Sequence, residues 1–80
     1  MSEISKLRWQ CRRGMKELDL LLENYLNRDF NKASPADQLA FVNLLNLPDP
    51  ILLAYVMNQQ QPATEDERRV VTRLRRSPRN

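Results

Sequence analysis

Three residues near the N-terminus, Arg13, Gly14 and Glu17, have the types and spacing of a protein-binding patch. If one helix runs through this segment, Arg13 and Glu17 are i, i+4 neighbours and can form an ion pair. Gly14 has no Cβ, so a partner's backbone can approach it closely. In the same helical frame Leu20 falls on the outward flank, turned away from Leu18 on the buried side. A guanidinium, a carboxylate, bare backbone and an exposed leucine are together typical of a binding surface.

The same residues also fit a simpler interpretation. An exposed Arg–Glu pair on a helix adds less than about 1 kcal/mol to stability. A glycine often marks the end of a helix. Spacing alone therefore leaves two alternatives open for this segment: a binding patch, or an ordinary helix surface punctuated by Gly14.

Catalysis finds little support in the composition. The 80 residues include no histidine, which removes the Ser-His and Cys-His nucleophile pairs and the commonest metal ligand. A single cysteine excludes a disulfide framework and a thiolate zinc cluster. A single glycine excludes the glycine-rich loops that cradle phosphates. The carboxylates Asp19, Glu23 and Asp29 have no apparent partner group, so we expect no catalytic residue, no metal site and no tightly bound cofactor.

Arginines are concentrated near the C-terminus, where six of the ten fall in the last 13 residues. They are Arg68, Arg69, Arg73, Arg75, Arg76 and Arg79. One interpretation is phosphate contact with a nucleic acid, which would depend on Arg69, Arg73 and Arg76. The other is a solvated helix end whose cations complement the helix dipole. Acidic residues in the first turn of the same helix offset the charge, and no aromatic interleaves the arginines to stack on bases. We expect no nucleic-acid partner.

The elements that position these residues are expected to be helices, because leucine, arginine, glutamine and glutamate are frequent and glycine is rare. The predicted helices span about Ser2–Arg12, Met15–Arg28, Pro35 to just before Pro48, Ile51–Met57, and Glu65 onwards. Ser34 and Thr64 are predicted N-caps, each followed three residues later by a carboxylate. The sequence thus predicts an all-α fold: a single domain of residues 1–80, with about five short helices and a frayed tail at 76–80.

Apolar periodicity identifies the expected core. Its members are Leu18, Leu21, Leu22, Tyr25, Leu26, Phe41, Leu44, Leu45, Val70, Val71 and Leu74. Cys11 lies on the apolar side of the first helix and is expected to be a buried, inert thiol. Trp9 falls outside that apolar line, so it either packs against a neighbouring helix or is exposed for a partner. The Ile51–Met57 helix is apolar nearly all round, and is either wrapped by other helices or used as a contact surface.

No segment predicts a membrane span or a targeting signal. The longest apolar run, Ile51–Met57, is far shorter than the roughly 20 residues that cross a bilayer. The N-terminal residues have no apolar signal-peptide region. We expect a cytoplasmic protein that binds a partner, does not insert into membranes and is monomeric, although an exposed Ile51–Met57 stretch could self-associate.

Residues 9–19 read W-x-C-R-R-G-M-x-E-L-D, and Asp49-Pro50 and Tyr55 follow downstream. With Phe41, Leu44 and Leu45, this pattern resembles the SdhE family, the FAD assembly factors of succinate dehydrogenase. The resemblance covers roughly residues 5 to 75. Tyr55 is a departure, because the family often has tryptophan there, and the arginine-rich C-terminus matches nothing in the family pattern.

The resemblance implies a compact bundle of about five helices without catalysis of its own. It implies binding to the flavoprotein subunit of succinate dehydrogenase, or of the related fumarate reductase, and promotion of covalent attachment of FAD to a histidine of that subunit. Family members have also been labelled antitoxins, so the alternative function is neutralisation of a different protein. Arg13, Gly14 and Glu17 match the family's R-G-x-x-E motif, which implies a partner-binding role. The expected partner-binding residues are Arg13, Gly14, Glu17, Arg12, Met15, Leu20 and Trp9.

Overall fold

The computed structural model describes residues 3–76, which form five α-helices and no strand. The helices are α1 (Glu3–Gln10), α2 (Lys16–Arg28), α3 (Pro35–Leu45), α4 (Asp49–Val56) and α5 (Glu65–Arg76), with a short 3-10 helix at Phe30–Lys32. The predicted all-α fold is confirmed. Of the predicted frayed tail, Arg76 is the last residue of α5, and the rest lies outside the described residues.

Two helices begin at the predicted caps. The Ser34 hydroxyl oxygen accepts from the backbone N–H of Asp37 at 3.2 Å, with Pro35 in the first turn of α3. The Thr64 hydroxyl oxygen accepts from the N–H of Glu67 at 3.2 Å and opens α5. Each bond satisfies one of the N–H groups that a helix start leaves without an intrahelical partner.

The core lies between α2, α3 and α5, and all eleven of the predicted core residues are buried. An aromatic stack stands at its centre: the rings of Tyr25 and Phe41 are 4.6 Å apart, and Phe30 lies 5.6 Å from Phe41. Such pairs add to the stabilisation from burying apolar area. Cys11 is fully buried, as expected, and desolvation raises its pKa to about 12.

The helix α4 is covered by other helices on one side and exposed on the other, so neither of the two alternatives for it applies to the whole helix. Leu52 is fully buried, whereas Ile51 is exposed. Tyr55 packs against the core, and its carbonyl accepts a hydrogen bond from Arg75 in α5 at 2.8 Å. The helix is thus fixed from one side and open on the other. None of the helices between residues 3 and 76 is long and apolar enough to cross a membrane.

Candidate functional site

The segment between α1 and α2, residues 11–15, is a loop, and we refer to it as the 11–15 loop. It contains Gly14 in the left-handed region with φ of 81°. A right-handed helix cannot continue through such a residue. The premise of one helix running from Arg13 to Glu17 is therefore wrong, and the predicted i, i+4 relationship between these two residues does not exist.

The side chain of Arg13 points into the protein, with only 12% of it exposed. Its Nε donates to the Gln10 carbonyl at 2.9 Å, and its Nη1 donates to the Leu47 carbonyl at 3.0 Å and to Oδ1 of Asp49 at 2.9 Å. Its Nη2 donates to the Leu45 carbonyl. The expected outward orientation of Arg13 is wrong, because the carbonyls at the end of α3 lack helical donors and attract the guanidinium.

The backbone of the 11–15 loop is held by a second carboxylate, Asp19. Its Oδ1 accepts from the N–H of Arg13 at 2.8 Å, and its Oδ2 accepts from the N–H of Gly14 at 3.1 Å. A side chain in the first turns of α2 thus reaches back to N–H groups that precede the helix, much as the glutamate of a capping box does. Asp19 thus has structural partners that the sequence does not reveal. The same holds for Asp29, whose Oδ1 lies 3.8 Å from Nη1 of Arg73.

Four of the expected partner-binding residues are exposed within the 11–15 loop or next to it, and we refer to them together as the docking face, after the role expected for them. They are Trp9, Arg12, Gly14 and Glu17. Trp9 is 68% exposed, so it is not covered by a neighbouring helix; its contact with a partner stays a prediction. The guanidinium carbon of Arg12 lies 5.8 Å from the centre of the Trp9 ring, within cation–π range. Apart from Gly14 and its two chain neighbours, no described residue has a heavy atom within 4 Å of a Cβ built on Gly14.

The two remaining residues expected on this surface lie deeper. Met15 is half-buried and packs against the core. Leu20 is also half-buried, so its expected exposure is only partly realised. Next to the docking face, Arg8 donates to Oδ1 of Asn27 at 2.9 Å, which fixes α1 against α2.

Sequence reasoning missed two residues of this site, Asp19 and Asp49. Asp49 enters the sequence analysis only through the Asp49-Pro50 part of the family pattern, yet it accepts from an arginine 36 residues earlier in the chain. The signal for Asp19 was its position in the first turns of a helix that follows a glycine, where a carboxylate can reach preceding N–H groups. For Asp49 no local signal exists, because its partner is distant in sequence.

The arginines of α5 are largely engaged within the chain. Arg69 donates to both oxygens of Asp37, at 2.8 to 3.2 Å, and to Asp66 at 2.5 Å. The hydrogen bond to Asp37 is the main cause that raises the pKa of Arg69 above its ordinary value. Arg68 donates to the Pro62 carbonyl at 2.9 Å. These contacts join α5 to α3 and to the preceding loop, which is a structural role. Within residues 3–76, no group of three or more potential metal ligands occurs.

Comparison with known proteins gives a consistent result over nearly the whole chain. Residues 5–78 match the sequence model of a family described as "Flavinator of succinate dehydrogenase". The FAD assembly factor SdhE of Haemophilus ducreyi is 38% identical over 79 residues, which cover 96% of this chain and 96% of that protein. The protein of the same name from Legionella pneumophila (strain Paris) is 43% identical over 63 residues, covering 79% of this chain and 80% of that protein. That from Pectobacterium atrosepticum is 35% identical over 68 residues, covering 85% and 77% respectively.

Proposed function

This chain belongs to the family of succinate dehydrogenase flavinators, and from that premise we propose that it is a non-catalytic assembly factor. It acts in the cytoplasm, binds the flavoprotein subunit of succinate dehydrogenase and promotes covalent attachment of FAD to a histidine of that subunit. The related fumarate reductase flavoprotein is a second partner of the same kind. The single observation that carries the proposal is the family match across residues 5–78.

The docking face supplies a surface suited to this role. Gly14 offers backbone without a side chain, and among the residues described, only its two chain neighbours can have heavy atoms within 4 Å of where a Cβ would stand. Glu17 is exposed in the first turn of α2 beside it. Trp9 adds a large exposed aromatic surface, and aromatic residues and arginine are enriched at the centres of protein interfaces. We infer that these residues and Arg12 contact the flavoprotein, together with the half-buried Leu20, while Met15 packs against the core beneath the loop.

The chemistry belongs to the partner and its cofactor. The chain has no histidine and one cysteine, Cys11, which is buried and has a raised pKa. Its single glycine lies in the 11–15 loop and cannot form a phosphate-binding loop, so the residues present do not fit a tight FAD site of its own. What such a protein contributes is orientation: holding the flavoprotein in the geometry in which its histidine meets the flavin. Orientation of this kind can lower a barrier by several kcal/mol.

The test is the covalent flavin content of the purified flavoprotein subunit, read as in-gel fluorescence after denaturation. Apo-subunit and FAD are incubated with the wild-type chain, with Gly14→Arg, with Arg13→Ala or without the chain. We expect strong fluorescence with wild type and little with either variant. Gly14→Arg places a long side chain at the contact, and Arg13→Ala removes the residue that anchors the 11–15 loop.

Ser34→Ala, which removes the N-cap of α3 at its opposite end, is the control for a modest loss of stability. The loss of such a cap costs about 1 kcal/mol, so the control is destabilised without any change at the docking face. We expect it to support wild-type flavinylation. Undiminished fluorescence with folded Gly14→Arg and folded Arg13→Ala would contradict the proposal.

A further inference from the structure

The contacts of Arg13 point to a role for it that differs from direct partner binding. Resting on the proposed function, we propose that Arg13, Asp19 and Asp49 are positioning residues. They fix the shape of the 11–15 loop from its inner side, and they affect flavoprotein binding only through the loop residues that they present, above all Gly14.

The first support is the number of acceptors that Arg13 meets within its own chain. Its guanidinium donates to three backbone carbonyls, of Gln10, Leu45 and Leu47, and to the carboxylate of Asp49. A guanidinium has five N–H donors, and these bonds use all three of its nitrogens. With 12% of the side chain exposed, little of it is accessible to another protein.

The second support is that the loop is held from two independent directions. Asp49 holds the Arg13 side chain from the start of α4, whereas Asp19 holds the backbone of Arg13 and Gly14 from α2. Each carboxylate oxygen of Asp19 takes one N–H, so both amides are oriented by one rigid group. Gly14 stays at φ of 81° with its open side toward solvent.

The third support is the location of the groups that accept hydrogen bonds from Arg13. The carbonyls of Leu45 and Leu47 and the carboxylate of Asp49 belong to the end of α3, the connecting turn and the start of α4. Arg13 therefore ties the 11–15 loop to a junction that is 32 to 36 residues distant in sequence. The conformation of the docking face therefore depends on α3 and α4, because Arg13 anchors the 11–15 loop to both helices.

The experiment measures affinity for the purified apo-flavoprotein subunit by calorimetry, for four carboxylate variants. Asp19→Ala and Asp49→Ala remove the acceptors and are expected to weaken binding by about tenfold or more, equivalent to about 1.4 kcal/mol. Asp49→Asn retains an oxygen for Nη1 of Arg13 and is expected to bind within about threefold of wild type. Asp19→Asn retains one oxygen for two N–H groups and is expected to fall between the wild type and Asp19→Ala.

Ser34→Ala again serves as the control that loses a cap bond remote from the loop. A purely structural role for Asp19 and Asp49 predicts that all variants of equal stability bind equally. The proposal predicts instead that Ser34→Ala binds as wild type, while Asp19→Ala of similar melting temperature binds weakly. Equal affinity of folded Asp19→Ala, Asp49→Ala and wild type would overturn it.

A second measurement separates positioning from direct contact. In the wild-type complex, the NMR signal of the Arg13 Nε–H group is expected to stay close to its position in the free protein, while the Gly14 amide signal shifts. A large shift or new protection of the Arg13 guanidinium on binding would overturn the positioning role while leaving the proposed function intact. No binding by the wild type itself would instead contradict the proposed function.

Discussion

The guanidinium of Arg13 lies 2.9 Å from Oδ1 of Asp49, 36 residues further along the chain, and the arginine side chain is only 12% exposed. This contact brings the motif arginine of the 11–15 loop against the junction of α3 and α4. It separates the R-G-x-x-E motif into two parts. Arg13 faces the protein, while Gly14 and Glu17 face the solvent.

Removing the Arg13 side chain is expected to destabilise the fold. Arg13→Ala removes the guanidinium that donates hydrogen bonds to the carbonyls of Leu45 and Leu47 and to the carboxylate of Asp49. We expect a loss of about 2 to 3 kcal/mol in the free energy of unfolding, as is typical of hydrogen bonds to charged groups. Arg13→Lys should recover only part of this loss, since an ammonium cannot reproduce the planar fork. Urea unfolding followed by circular dichroism measures both variants, and a loss below about 0.5 kcal/mol for Arg13→Ala would contradict the anchoring role.

Substitutions at Gly14 are expected to rank differently in stability and in binding. A side chain has room in the free protein, but φ of 81° strains most residues, and asparagine tolerates this region better than alanine. We expect the stability order Gly, Asn, Ala, with Ala about 1 kcal/mol below Gly. Asparagine is the larger obstacle to a partner, so the order of affinity for the flavoprotein is expected to be Gly, Ala, Asn. If affinity followed the stability order instead, Gly14 would not lie at the contact.

The hydroxyl of Tyr25 is expected to contribute nothing to stability. It is buried and has no hydrogen-bond partner among the described residues, while the ring stacks on Phe41 at 4.6 Å. Tyr25→Phe keeps the stack and removes an unpaired polar atom, so we expect a gain of up to about 1 kcal/mol. Thermal unfolding measures this change, and Tyr55→Phe, at a half-buried position on α4, is the matched control. A lower melting temperature for Tyr25→Phe would show that the hydroxyl has a partner.

Alkaline pH is expected to destabilise the protein through Cys11 and Tyr25. Desolvation is the largest cause that raises the pKa of Cys11 from 9.0 to about 12 and the pKa of Tyr25 from 10.0 to about 12. The unfolded chain loses these protons at a lower pH than the folded protein, so ionisation of the two groups costs no stability below about pH 9. The free energy of unfolding falls as the pH rises from there to about 12.

Urea titrations at pH 8, 9.5 and 11 measure this dependence. Cys11→Ala should be less stable at pH 8 but lose less stability between pH 8 and 11 than the wild type. In the native protein at pH 8, iodoacetamide should label Cys11 far more slowly than in urea, because only the thiolate reacts and the site is buried. Rapid labelling of the native protein would contradict the burial.

Much of the fold was predictable because its determinants are local. Ser34 and Thr64 mark helix starts through bonds that span three residues. The leucine stripe of α2 indicates the buried face through its spacing alone. The sequence does not decide where α1 ends and where α2 begins, because Gly14 is compatible with either a continued helix or a break. Only the left-handed conformation of Gly14 shows that the helix breaks there.

The candidate site was predictable in its exposed part and not in its inner part. Gly14 and Glu17 are exposed as expected. The orientation of Arg13 could not be predicted, because carbonyls 32 and 34 residues away determine it. Nothing in the local pattern shows that the end of α3 at Leu45 and the following turn at Leu47 lie beside the 11–15 loop. The position of Trp9 was open for the same reason: whether a neighbouring helix covers it depends on packing between elements.

The docking face is tested most directly by photo-cross-linking to the purified apo-flavoprotein subunit. A benzophenone amino acid replaces Trp9, which is 68% exposed, or Leu39, which is 61% exposed and lies outside the docking face. The two positions are similarly exposed, so a large difference in cross-linking reports the position of the partner. We predict a strong cross-linked product from position 9 and little from position 39. Equal products from both positions, or a product from position 39 alone, would contradict binding through the docking face.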